Sequence, residues 1–331
     1  MLKLIRSGDV DRFNAMLQEK SLHLLVGDLM VLCVEAVRQP FNLFLDHLLT
    51  AGDLDFRTNV LIEAITESSV RSIMRASDGA KIAKRLIELS PEVALGAKEQ
   101  TRTPIHVAAR AGAKAILKQL IDTCKAKPGQ LALALRSNVK KEGTPLSSAI
   151  YSHKPATIAM LIAAHLEEGI PPQSEVLERP IKKLGTEDDT VALLVDSFPQ
   201  ILTVKSLELI VTYGSPSTWD LVVAKRPDLL PESNILHLAV KAQKEEMVRK
   251  ILKHHPDLVA QKDQGNSYTL QHNQPLSQEE ADLNTQEEIR KLLLPEIVRI
   301  FSAADIKEMF RKAESISLPT KIRVQLLTKA Q

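Results

Sequence analysis

The run Thr103-Pro104-Ile105-His106-Val107-Ala108-Ala109-Arg110-Ala111-Gly112, followed by Ile116-Leu117 and Leu120-Ile121, constrains this chain more than any other stretch. It encodes a helix, a tight reversal and a second helix. Thr103 suits an N-cap, where its hydroxyl would satisfy an orphan N–H of the first turn. Pro104 takes the first helical position, where a missing N–H does no harm. Ala108 and Ala109 are small enough for a neighbouring helix to approach closely. Gly112 permits the positive φ that ends the helix. The apolar residues at 116, 117, 120 and 121 form a single stripe on the second helix. A pair of helices this short cannot bury its apolar faces alone and must stack on further copies.

Those copies are present. Thr144-Pro145-Leu146, Ala149-Ile150, Ile158 and Leu161-Ile162 repeat the pattern 41 residues on. Asn234-Ile235-Leu236-His237-Leu238-Ala239-Val240, Met247-Val248 and Ile251-Leu252 repeat it 131 residues on. With Ala108 as a marker, weaker copies place counterparts at Leu4, Ala36, Ala64, Ala149, Ile181, Ile210 and Ala239, at intervals of 32, 28, 44, 41, 32, 29 and 29 residues. The two long intervals imply insertions, near 69–81 and 125–142. A second signal runs in phase. Pro91-Glu92-Val93, Pro199-Gln200-Ile201, Pro227-Asp228-Leu229 and Pro256-Asp257-Leu258 each follow a second-helix stripe. Proline blocks continuation of the helix, and the apolar residue two places on is expected to tuck back under the stack.

These motifs resemble the ankyrin-repeat family, whose pattern runs roughly Thr-Pro-Leu-His-x-Ala-Ala-x-x-Gly. The match is close at 103–121 and partial at 144 and 234. There Ser147 stands for the His, His153 and Gln243 for the Gly, and Asn234 for the Thr. The divergence and the insertions are similar to arrays of filamentous-fungal proteins. The resemblance implies an all-α fold, an ankyrin-repeat solenoid of about eight helix pairs over 1–265 with a C-terminal helical cap. Residues 266–284 are expected to form an extended crossing segment, and 285–331 to form capping helices and a tail. A helix is expected over 286–301, kinked or divided at Pro295, and another over 303–313.

Composition narrows the function. Apolar residues make up 44% of the 331, enough for a continuous core. Aromatics are 3%, and 43 basic residues balance 41 acidic ones, so nothing draws the chain generally to nucleic acid or an anionic membrane. Cys33 and Cys124 lie far apart at apolar helix positions, which suits a reducing compartment. The N-terminus does not read as a signal peptide, and no run approaches a membrane span. The expectation is a soluble protein of the cytoplasm or nucleus, monomeric by itself.

No reaction chemistry emerges, and no catalytic residue, metal or cofactor is expected. His106 and His237 hold the fourth place of the motif, where the resemblance implies a structural hydrogen bond to neighbouring loop groups. The adjacent His254 and His255 point apart and lack the spacing of metal ligands. Asp188-Asp189 and Glu167-Glu168 have no partner nucleophile or base. Phosphate loops and nucleophile elbows are missing.

The expected function is therefore a non-catalytic scaffold or adaptor that holds another protein through a concave groove and projecting loops. Arg102 and Lys141 lie in loops ahead of Thr-Pro helix starts. Arg38, Gln39, Thr66, Glu67, Arg110, Tyr151, Ser152, Lys183, Thr212, Tyr213 and Lys241 follow the small pair of each first helix and are assigned to the groove. Tyr151 and Tyr213 are the favoured anchors, since tyrosine gives contact area with little entropy loss. Trp219 falls on a second-helix stripe and is assigned to the core. The alternatives are a regulatory or substrate-recruiting subunit of an enzyme assembly, or an effector using the same surface in a host cell.

Overall fold

A computed structural model describes residues 1–19, 26–38, 43–50, 53–69, 73–96, 102–140, 142–184, 189–230, 234–261, 283–302 and 306. Among these the fold is all-α: helices and short 3-10 turns, with one isolated bridge between Val139 and Gly143. The chain divides into two compact units, 1–176 and 177–331.

The first unit contains α1 (Leu2–Ser7), α2 (Val10–Glu19), α3 (Val26–Val37), α4 (Leu43–Thr50), α5 (Leu54–Ser68), α6 (Ile73–Leu89), α7 (Pro104–Ala111), α8 (Lys114–Lys125), α9 (Gln130–Arg136), α10 (Pro145–Tyr151) and α11 (Pro155–Glu167). Its helices pack in two rows. In one, α1 touches α3, α3 touches α5, α5 touches α7 and α7 touches α10; in the other, α2, α4, α6, α8 and α11 follow in turn. Phe13 meets Phe44 edge to face across α2 and α4, with ring centroids 5.1 Å apart. Arg85 on α6 forks onto Asp46 of α4, Nε to Oδ1 at 2.7 Å and Nη2 to Oδ2 at 2.6 Å.

The second unit takes in most of α12 (Glu175–Leu184), then α13 (Asp189–Ser197), α14 (Val204–Tyr213), α15 (Pro216–Lys225), α16 (Ile235–Lys241), α17 (Glu245–His254) and α18 (Leu283–Ile300). Here α14 packs on α16, while α13, α15, α17 and α18 follow in turn.

The marker positions explain this order. Ala36, Ala64, Ala108, Ala149, Ile181, Ile210 and Ala239 are all fully buried, and Leu4 is half-buried. The proline turns are equally regular. Ser90, Phe198, Arg226 and His255, each preceding a proline, have φ between −141° and −137° and ψ between 63° and 72°. Proline disfavours the helical region for its predecessor, and at these four positions the helix stops there. Val93, Ile201, Leu229 and Leu258 are all buried, as the motif requires.

Part of each long interval is itself helical. Residues 73–81 form the first half of α6, and 130–136 form α9, which buries Leu131, Ala134 and Leu135 against α8, α10 and α11. Gly79 is where α6 passes α5: a Cβ there would lie 2.7 Å from the Ala64 carbonyl oxygen and 2.8 Å from the Ser68 nitrogen.

Two local expectations need correction. Thr103 does not cap α7 through its side chain; its hydroxyl is taken by His106. Pro295 does not divide its helix, since α18 runs through it from 283 to 300. Its Ile289, Leu293 and Ile297 are buried, and it packs on α17 and on the 3-10 turn Pro256–Ala260. The crossing segment expected over 266–284 is shorter at its end, since 283 and 284 already open α18; its residues 266–282, the expected helix at 303–313 apart from Ile306, and the tail lie outside the described residues.

Candidate functional site

The sharpest assembly of expected site residues surrounds the turn before α10. Val139 and Gly143 exchange backbone hydrogen bonds, the Val139 amide to the Gly143 carbonyl at 3.0 Å and the Gly143 amide to the Val139 carbonyl at 2.8 Å. Gly143 adopts φ 75°, which closes the reversal and presents Glu142. Glu142 Oε1 accepts from Arg102 Nη2 and from Arg110 Nη1, the latter at 2.8 Å. Among the described residues no hydrogen-bond partner reaches its buried Oε2. The Arg110 guanidinium carbon lies 5.9 Å from the centroid of the Tyr151 ring, within cation–π range. Thus a loop residue and the end of α7 converge on one carboxylate, and the end of α10 joins them through the Tyr151 ring beside Arg110.

His106 holds this turn in place. Its ring is buried, with Nε2 3.1 Å from the Gly143 carbonyl oxygen and Nδ1 2.8 Å from Thr103 Oγ1. A carbonyl only accepts, so Nε2 carries the proton and Nδ1 accepts from the Thr103 hydroxyl. Burial lowers the imidazole pKa from 6.5, opposed by the Gly143 carbonyl and the Glu142 charge, so the neutral ring is favoured. At α10, where Ser147 replaces the histidine, Thr144 Oγ1 accepts from the Ser147 backbone amide at 3.3 Å and also lies 3.2 Å from Ser147 Oγ.

The other expected residues are spread more widely. Arg38 is committed to Asp78 on α6, at 3.1 Å from Nε and 3.0 Å from Nη2. Thr66 is exposed and returns its hydroxyl to the Ile62 carbonyl at 2.8 Å; Glu67, beside it, is half-buried. Ser152 is half-buried and bonds the Ser148 carbonyl at 3.0 Å. Tyr213 and Lys241 are exposed at the ends of the neighbouring α14 and α16 in the second unit. Lys183 belongs to α12, its side chain outside the description; Gln39 and Lys141 lie outside the described residues. Trp219 is fully buried on α15. Glu142 joins two of the expected residues, Arg102 and Arg110, and was not itself among them. Its only sequence signal is an acid among Lys140-Lys141, in the loop that follows the one carrying Arg102.

Chemistry elsewhere is sparse. Burial pushes the thiol of Cys33 up to about 12 and that of Cys124 to about 11, which suppresses the reactive thiolates. An open groove of about 700 Å³ lies between α6 and α8. Its lining carries Lys81, Lys84 and Lys118 but no histidine, and a single carboxylate, Asp122. Among the described residues no three His, Cys, Asp or Glu side chains gather as metal ligands, and no helix is long and apolar enough to cross a membrane. No family model matches the sequence, and no curated protein matches it.

Proposed function

We propose that this chain is a divergent ankyrin-type repeat scaffold that binds another protein through the exposed ends of its first helices and the loops before them. The family reading is supported by the in-phase repeat of buried markers and proline turns, and by two helix rows within the first unit. It is also supported by the left-handed backbone shared by Gly112, His153 and Gln243, which occupy one motif position. The binding reading is carried by the cluster of Arg102, Arg110 and Tyr151. Arginine and tyrosine are the residue types that dominate protein interfaces, and here all three side chains are about half exposed yet held by contacts.

Photo-crosslinking tests this. Benzoylphenylalanine placed at Tyr151 or Tyr213 and irradiated in lysate of the source organism should capture discrete protein partners. The same group at Lys118, on a second helix, should not. Equal capture at all three positions, or capture at Lys118 alone, rejects the assigned face.

A further inference from the structure

Two guanidinium groups share a single carboxylate oxygen at Glu142, and this inverts the charge pattern of the rest of the unit. Elsewhere a cation that bridges helices has a carboxylate of its own, as in Arg6 with Glu35 or Lys125 with Glu167. Arg85 even holds two, Asp46 and Glu88. At Glu142 the ratio among the described residues is reversed, with two guanidinium groups to one carboxylate. Lys140, exposed in the same turn, adds another positive charge.

The donors are also unspent. Each guanidinium has five N–H groups in a planar fork, and each gives one nitrogen to Glu142. The side chains of Arg102 and Arg110 remain 52% and 44% exposed. A fork with open N–H groups matches a carboxylate bidentately. Preorganisation favours binding, because little freedom is left to lose. Arg110 already rests on the Tyr151 ring, and the turn carrying Glu142 is pinned by His106.

We infer that Arg102 and Arg110 seat a carboxylate from an acidic segment of the protein partner, packed beside the exposed ring of Tyr151. This rests on the protein-binding reading above and names the chemistry of the partner at that surface. The ligand is a carboxylate rather than a nucleic-acid backbone, and a phosphate group is the competing outcome that the test separates. A phosphodiester chain would need a run of cations, whereas the whole chain is balanced at +2.

The test uses a phage-displayed library of random peptides selected against the full chain. Selected peptides are then synthesised with a fluorophore and titrated by anisotropy. Enriched peptides should share an Asp or Glu, and replacing it by Asn or Gln should weaken binding about tenfold or more. Arg102→Gln with Arg110→Gln should cause a similar loss that does not add to the peptide change. The matched substitution Lys81→Gln with Lys84→Gln on α6 should leave affinity within about twofold. Arg102→Lys with Arg110→Lys keeps the charge without the fork and should fall between; it serves if the glutamine variant loses its helical circular dichroism. The inference is overturned by an empty selection, by peptides lacking a carboxylate, or by equal losses at the α6 lysines. Preference for a phosphoserine over the Asp or Glu overturns it as well. Crosslinking at Tyr151 that persists after any of these leaves the binding surface standing and removes only the carboxylate; absence of crosslinks removes the surface itself.

Discussion

His106 donates from Nε2 to the carbonyl of Gly143, 37 residues further along the chain, and so ties the first turn of α7 to the turn that precedes α10. The imidazole takes the Thr103 hydroxyl at its other nitrogen, which makes one side chain the link between a helix start and the next repeat. His106→Leu keeps the volume but strands the Thr103 hydroxyl and the Gly143 carbonyl. It should lower stability by about 2–3 kcal/mol, the penalty for buried polar groups left unpaired. Urea denaturation followed by circular dichroism reads this. A change within the error of wild type would mean that water replaces the imidazole without loss.

Acid should weaken the fold before the carboxylates titrate. Burial is the largest cause of the lowered pKa of both His106 and His165, and each has one nitrogen on a backbone carbonyl, Gly143 and Ile170 respectively. Below their ordinary value of 6.5 the unfolded chain takes up protons that the folded chain resists. The stabilisation is thus complete above 6.5 and drains away as pH falls through the lowered folded values. Thermal melts from about pH 8 to about pH 5 should show a falling midpoint, and His165→Gln with His106→Gln should flatten that slope. A midpoint that rises on acidification would contradict the assignment of neutral buried rings.

Left-handed backbone at two non-glycine positions predicts a gain. Among the described residues, His153 at φ 52° and Gln243 at φ 54° are the non-glycine residues with positive φ, and both stand where the best repeat has Gly112. The αL conformation costs an L-residue about 1–2 kcal/mol, part of which glycine returns through its unfolded-state entropy. His153→Gly should therefore stabilise by about 0.5–1 kcal/mol. Gln243→Gly should gain less, because the Gln243 side chain also donates to the Val240 carbonyl at 3.0 Å. Fluorescence of Trp219, buried in the same unit as Gln243, follows that second variant directly.

Gly79→Ala should destabilise despite the better helix propensity of alanine. The new methyl would press on backbone atoms of Ala64 and Ser68 rather than on a side chain that could turn away. Overpacking of this kind costs about 1–3 kcal/mol, against about 1 kcal/mol gained from propensity. The melting midpoint should fall, and a rise would show that α5 and α6 separate without penalty.

Much of the helical order was legible because it is written in local rules. A proline disfavours helix at the residue before it, and Ser90, Phe198, Arg226 and His255 share one backbone geometry. Small or apolar residues at a fixed phase mark where helices meet, which explains why the markers from Ala36 to Ala239 are buried. The proposed interaction surface was legible only as a set of candidates. Exposure at Arg110 and Tyr151 follows from helical phase, but Arg38 follows the same phase and is spent on Asp78.

The amino-acid sequence alone therefore determined where helices begin, stop and face inward, since those outcomes depend on neighbours within a turn or two. Tertiary structure alone decided that Arg102 and Arg110 meet on Glu142, and that the hydroxyl of Thr103 turns to an imidazole instead of capping its helix. The Glu142 contacts join residues 40 and 32 positions apart, and the imidazole that takes the Thr103 hydroxyl is held from the next turn by the Gly143 carbonyl. These partners are chosen by distance after the helices stack, and no local rule records that distance.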